Sequence, residues 1–299
     1  MKILLTGCQG QLGFSIQKLA PKGVELLSLN KYQFDLSKIN KIKKNLEDIK
    51  PDLIINCGAY TNVDMAEDER EKVMNINANS VREISLYLKK NGGNLIQIST
   101  DYVFNGLQSK AYKVDDKVSP INQYGMSKAK AEKFVKEILG KTNQAVIVRT
   151  SWLMGTTSKN FLLKMIKLHQ TKKEINVVSD QISCPTNTKT LARACWKIIK
   201  YKMEKNFYKF NLMPILHWCD DGIASWYDIA IAIGEISERN GLVDCAALIN
   251  PIKSENYPTK AKRPNFSLLD CASTKELLDY KGEYWRNSLE ISIKSLVDK

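Results

Sequence analysis

The sequence opens on an apolar run, Lys2-Ile3-Leu4-Leu5-Thr6, that passes straight into Gly7-Cys8-Gln9-Gly10-Gln11-Leu12-Gly13. Leu12, Ile16 and Leu19 then recur at the spacing of one helix face. A buried strand, a glycine turn and a helix in that order leave few folds open. Glycine permits the tight turn and a close backbone approach to a ligand, and the helix N-terminus offers N–H donors and positive potential. The stretch predicts a dinucleotide pyrophosphate over residues 7–13, with Gly7, Gly10 and Gly13 shaping the turn in a G-x-x-G-x-x-G spacing. The plainer reading, glycines that merely allow a turn, is weakened by the place of the stretch at the head of the chain.

The pattern then repeats. Residues 24–29 read as a second strand ending at Asn30-Lys31. A carboxylate there would grip a ribose 2′-hydroxyl and a cation a 2′-phosphate, so Asn30 and Lys31 point to NADPH, with NADH possible. Asp35-Leu36 is placed to lie against the adenine. A helix over 39–49, a strand over 53–57 and a loop over 58–67 follow, then a long helix over 72–90 containing Asn75, Asn77 and Asn79. A strand over 94–98 delivers Ser99-Thr100-Asp101 at its carboxyl end, and residues 145–149 form the last strand of this part. Alternating strands and helices predict an α/β fold, a Rossmann-like doubly wound parallel sheet over residues 1–150. Residues 151–299 are expected to form a smaller C-terminal substrate-binding lobe interleaved with the sheet.

Tyr124-Gly125-Met126-Ser127-Lys128 starts a helix in which Ala131, Phe134, Val135, Ile138 and Leu139 recur, closed by Gly140. Residues four apart share a helix face, so the phenol and the ammonium act on one small volume. Tyrosine titrates near ~10, and a neighbouring cation moves it toward the working range. Such a pair is a proton donor that can be re-formed beside a hydride donor, which is what a reductase needs.

Composition excludes other classes. The 45 basic and 32 acidic residues leave a net charge of +13, yet only seven of the basic residues are arginine. Lysines such as Lys38, Lys41, Lys43, Lys44 and Lys50 are spread along helical faces with no interleaved aromatics, so no nucleic-acid partner is expected. Seven scattered cysteines without C-x-x-C and only two histidines argue against a disulfide framework or a metal centre. No apolar run reaches the ~20 residues of a membrane span, and Gly7 comes too early for a signal peptide, so no membrane partner and a cytoplasmic protein are expected. Trp218, Trp226 and Trp285 in the C-terminal third read singly as core, whereas aromatics with Arg263 suit a nucleobase and a phosphate.

Taken together, these stretches carry a resemblance. Ser99-Thr100-Asp101-Tyr102-Val103-Phe104, Asp180-Gln181-Ile182-Ser183-Cys184-Pro185-Thr186 and Tyr257-Pro258-Thr259-Lys260-Ala261-Lys262-Arg263-Pro264, with the glycine turn and the Tyr124–Lys128 pair, make the chain resemble the dTDP-4-dehydrorhamnose reductases. These belong to the extended short-chain dehydrogenase/reductases. The likeness runs nearly end to end. It implies reduction of the 4-keto group of dTDP-4-dehydro-L-rhamnose, the last step of dTDP-L-rhamnose synthesis. In that scheme Thr100 bonds the ketone, Tyr124 protonates it, and Lys128 holds the nicotinamide ribose and lowers the tyrosine pKa. Gly10, Gln11, Leu12, Asn30, Asp35 and Leu36, together with Ala59, Tyr60 and Thr61, would line the cofactor. Asp101, Trp152, Asn160 and Arg263 would face the sugar nucleotide, where two negative charges suit Arg263. Where members of the family bind magnesium through glutamates at a dimer contact, this chain has Ser15 and Lys189. No metal is therefore expected, and a homodimer, if formed, would use another contact. Cys57 and Gly58 replace the usual alanines. Two other readings compete: a sugar-nucleotide epimerase or dehydratase, although Tyr102 stands where a dehydratase carries glutamate, and a non-catalytic regulatory subunit.

Overall fold

The structure is a computed structural model that describes residues 1–203 and 214–297. Strand β1 (Lys2–Thr6), helix α1 (Gln11–Lys18), β2 (Glu25–Leu29), α2 (Ile39–Ile49) and β3 (Leu53–Asn56) follow one another as the apolar periodicity requires. The expected long helix is instead three pieces: α3 (Arg70–Met74), a π-helical turn (Asn75–Asn79) and α4 (Ser80–Asn91). The wider turn lies where Asn77 reaches out of the helix, its Nδ2 to the Tyr60 carbonyl at 3.0 Å and its Oδ1 accepting the Tyr60 N–H at 2.8 Å. Such bulges gather at functional sites. Next come β4 (Asn94–Thr100), α5 (Gln123–Leu139) and β5 (Ala145–Thr150).

The chain leaves the sheet at Thr150 and returns to it. Short strands β6 (Leu153–Met154), β7 (Glu174–Val178), β8 (Ile182–Ser183) and β9 (Thr186–Asn187) and helix α6 (Phe161–Thr171) lie outside it. Helix α7 (Thr188–Met203) then packs beside α1, with the Trp196 indole donating to the Ile16 carbonyl at 3.0 Å. Strand β10 (Ile215–Trp218) pairs in parallel with β5. The six-stranded sheet runs β10-β5-β4-β3-β1-β2, parallel throughout. The order reverses at β1: β2 lies on one side and β3 on the other. That reversal opens a crevice at the strands' carboxyl ends, where sheets of this kind bind ligands.

Alternate residues of each strand face opposite layers. Leu4, Ile54, Leu95 and Ile147 pack under α2, α4 and α5, whereas Ile3, Leu5, Ile55 and Val148 pack under α1 and α7. The smaller lobe has its own core, formed by Leu162 and Met165 of α6, Ile229 and Ile233 of α8 (Trp226–Arg239) and Leu289 of α9 (Trp285–Val297). Trp218 and Trp285 are buried, as are five of the seven cysteines. Among the described residues no helix is long and apolar enough to cross a membrane. Leu4 sits fully buried at the centre of β1. Leu4→Ala is expected to cost about 2–5 kcal/mol, read as a lower urea midpoint at unchanged m-value; a shift near zero would place it outside the core.

Candidate active site

The crevice at the reversal is a cleft of about 740 Å³. Its floor is the glycine turn. Gly7 adopts φ 65°, and a Cβ there would lie 2.6 Å from the Gly58 nitrogen, so the β1 and β3 backbones meet without side chains between them. A Cβ on Gly13 would lie 2.4 Å from the Gly7 carbonyl oxygen. Helix α1 starts at Gln11 with no side-chain cap and no acid in its first turn, which leaves its N–H groups and dipole facing the cleft. At the far end Asn30 closes a turn, its Oδ1 accepting from Tyr32 and Gln33, while Asp35 accepts the Ser37 N–H and hydroxyl at 2.9 and 2.7 Å. Lys31, Leu36, Ala59, Tyr60 and Thr61 complete this part of the wall.

At the inner end, β4 runs two residues past the expected strand, so Ser99 and Thr100 pair with Arg149 and Thr150 of β5. Thr100 is pinned: its hydroxyl donates to Asp101 Oδ1 at 3.0 Å and accepts from the Tyr102 N–H. Asn122 caps α5 through the Gly125 N–H at 2.7 Å and so sets Tyr124 on the first turn. Burial pushes the Tyr124 phenol up to about 12, against an opposing hydrogen bond from Thr100. Lys128, one turn on and 4% exposed, donates to the Ile98 carbonyl at 2.6 Å. Burial lowers its ammonium to about 8, opposed by Glu132 and Cys57. Burial also raises Asp101 to about 7 although Ser267 donates to it at 2.5 Å. Opposite stands an aromatic wall. Trp152, at φ 42°, stacks on Trp226 with centroids 3.9 Å apart, and Phe161 tilts against the same ring.

A family model described as the RmlD substrate binding domain matches residues 1–297. The chain belongs to the dTDP-4-dehydrorhamnose reductase family. It is 35% identical over 290 residues to the spore coat polysaccharide biosynthesis protein SpsK of Bacillus subtilis, covering 96% of this chain and 95% of that one. Identity to the Escherichia coli K12 dTDP-4-dehydrorhamnose reductase is 33% over 275 residues, 90% of this chain and 89% of that protein. Among solved structures, the reductase of Clostridium acetobutylicum superposes with a TM-score of 0.87 at 36% identity, covering 99% of both chains. The Bacillus anthracis reductase, solved in complex with NADP, gives 0.85 at 32% identity over 99% of this chain and 100% of that one. A Thermus thermophilus UDP-glucose 4-epimerase shares the fold alone, at 13% identity. Membership makes the chain an NAD(P)H-dependent oxidoreductase among the sugar-nucleotide reductases and epimerases of this fold.

Of the residues that the family likeness singles out, all but Arg263 line the one cleft. Arg263 lines a second groove of about 1070 Å³ that shares Phe161 and Trp226 with the first. There its guanidinium forks onto Asp64 at 3.1 and 2.7 Å. The expected action of Lys128 on the tyrosine is not what governs Tyr124 here. Burial does, and the Lys128 ammonium is turned to the Ile98 carbonyl. Three residues escaped the sequence reading. Trp226, read singly as core, forms cleft wall; Asn77 clamps Tyr60; Glu132 sits buried one turn past Lys128. Each left a faint signal, a polar residue on an apolar helical face or an aromatic at a helix start. Ser15 donates to Thr188, the residue before Lys189, at 2.7 Å. A hydroxyl already engaged and an ammonium do not fit a divalent cation, which takes oxygen ligands.

Gly13→Ala inserts its methyl into the Gly7 and Cys8 backbones. NADPH affinity, read by nucleotide fluorescence, is expected to fall at least about tenfold. Wild-type affinity would show that the turn does not cradle the dinucleotide.

Proposed function

We propose that this chain reduces the 4-keto group of dTDP-4-dehydro-L-rhamnose to dTDP-L-rhamnose, the last step of dTDP-rhamnose biosynthesis, with NADPH as the preferred donor. One observation carries the reading. Thr100, Tyr124 and Lys128 converge at the inner end of a cleft whose outer part is a side-chain-free glycine cradle. The cradle fits a dinucleotide pyrophosphate, and a nicotinamide held beyond it supplies the hydride. The preference for NADPH is supported by the absence of a carboxylate at Asn30, by Lys31 on the wall, and by the NADP complex of the Bacillus anthracis relative.

The residues act as follows. Thr100 holds the ketone oxygen within reach of Tyr124. The phenolic proton goes to that oxygen as a hydride reaches the carbonyl carbon, and a secondary alcohol results. Because burial places the phenol at about 12, Tyr124 starts protonated across the neutral range, the form that a reduction consumes. The Lys128 ammonium offsets the negative charge that develops on the phenolate in a site of low dielectric. Trp152 and Trp226 give the pyranose a flat apolar wall and exclude water. The second groove takes the nucleotide, and Arg263 exchanges its fork from Asp64 to the pyrophosphate.

The test is NADPH and NADH oxidation, followed by nicotinamide absorbance, with enzymatically generated dTDP-4-dehydro-L-rhamnose. Turnover should be faster with NADPH, and Tyr124→Phe should lower kcat by about 10²–10⁴-fold with NADPH affinity kept. No oxidation of either cofactor despite measurable cofactor binding would sink the substrate assignment. The pH profile gives a separate check. Lys128 is charged below about 8 and loses its proton above it, so kcat should fall as pH rises through about 8. A profile flat into the alkaline range would remove Lys128 from the proton chemistry.

A further inference from the structure

Helix α5 carries Tyr124, Lys128 and Glu132 four residues apart, one above another on the same face. Glu132 is 2% exposed and has buried apolar neighbours, Ala131 and Val135. Both carboxylate oxygens are taken. Oε1 accepts the Ser99 hydroxyl at 2.6 Å and Arg149 Nε at 2.9 Å, and Oε2 accepts Arg149 Nη2 at 2.7 Å. Arg149, itself 0% exposed, is held in turn by the Val114 carbonyl at 3.2 Å and by the Phe104 ring, 5.0 Å from its guanidinium. Two adjacent residues of β4 thus receive α5: the Ile98 carbonyl takes Lys128, and the Ser99 hydroxyl bonds Glu132. The next residue along the strand is Thr100.

A buried ion pair is a poor device for stability alone, because an apolar pair of similar volume often serves as well or better. An apolar pair does not place a fixed negative charge one turn from Lys128. We propose that Glu132, clamped by Arg149, is a positioning residue that locks the Tyr124–Lys128 helix in register with Thr100 and supplies the counter-charge to the Lys128 ammonium. The inference rests on the reduction reading for the role of Lys128.

The surrounding charges support it. Lys128 faces Glu132 on its own helix and Cys57 just past β3, and Glu132 opposes the loss of its proton more than Cys57 does. Glu132 also acts on Lys136 of α5, and Arg149 comes from β5. His217 of β10, 3.3 Å from Arg149, adds no charge: burial first and Arg149 second push it down to about 3.

Glu132→Gln keeps the shape and removes the charge. The alkaline limb of the kcat profile should move about one pH unit lower, an about tenfold loss of kcat above the limb, while the KM for NADPH changes little. Glu132→Asp, which restores the charge, should return the limb to its wild-type place. A Glu132→Gln protein that loses thermal stability but keeps the wild-type limb overturns the proposal. If the single variant does not fold, Glu132→Gln/Arg149→Met removes both charges and decides the question: a lowered limb supports the role, and a wild-type limb overturns it. Should the wild-type protein turn over no keto-sugar nucleotide, the reduction reading fails by itself. The pH dependence of NADPH affinity in the same variants then decides the Glu132 role, a displaced profile supporting it and a coincident one overturning it.

Discussion

The cleft exists because two backbones touch at Gly7 and Gly58. A Cβ on Gly7 would sit 2.6 Å from the Gly58 nitrogen, and one on Gly13 would strike the turn from the helix side. Any side chain there would lift α1 off the sheet or push β3 away from β1. With that contact made, the reversal of strand order leaves an open crevice at the carboxyl ends, and each later strand delivers its last residues to it. Tyr60 follows β3, Thr100 ends β4, and Trp152 lies two residues past β5. The site is therefore a property of sheet order, and the helices orient what the strands bring.

Legibility in the sequence follows from how local each element's cause is. Strands β1 and β3 to β5 are apolar runs because both faces of the sheet are covered, and α2 emerges with the bounds that its periodicity gives, Ile39–Ile49. Strand β10 has no such mark. Its four residues become a strand by pairing with β5 across an excursion that begins at Thr150. The two-residue strands β6, β8 and β9 are likewise products of tertiary pairing, and the π-helical turn is set by the grip of Asn77 on Tyr60 rather than by its own propensity. In the site, the glycine turn and the Tyr124–Lys128 pair were legible because each is a short-range pattern. Arg263 was legible as a cation and not as the partner of Asp64, 199 residues away. The Glu132–Arg149 pair joins a helix to a strand, and no spacing in the sequence announces it.

Burial is the dominant influence on all three titratable groups at the inner end, and in each it favours the neutral form. It raises Tyr124 to about 12, lowers Lys128 to about 8 and raises Asp101 to about 7. At neutral pH the phenol is thus firmly protonated, while the other two groups stand within about a unit of changing charge. The environment that makes isolated charge costly also makes each remaining charge act strongly at short range. The Lys128 ammonium bonds to a backbone carbonyl, and among the described residues no carboxylate forms an ion pair with it. The charge that most opposes loss of its proton, Glu132, is itself held by Arg149 and lies one turn further along the helix. Glu132 opposes the effect of burial on Lys128 without pairing it off. On the reading proposed above, a direct Lys128–carboxylate pair would give a steadier cation whose field is already spent in the resting protein.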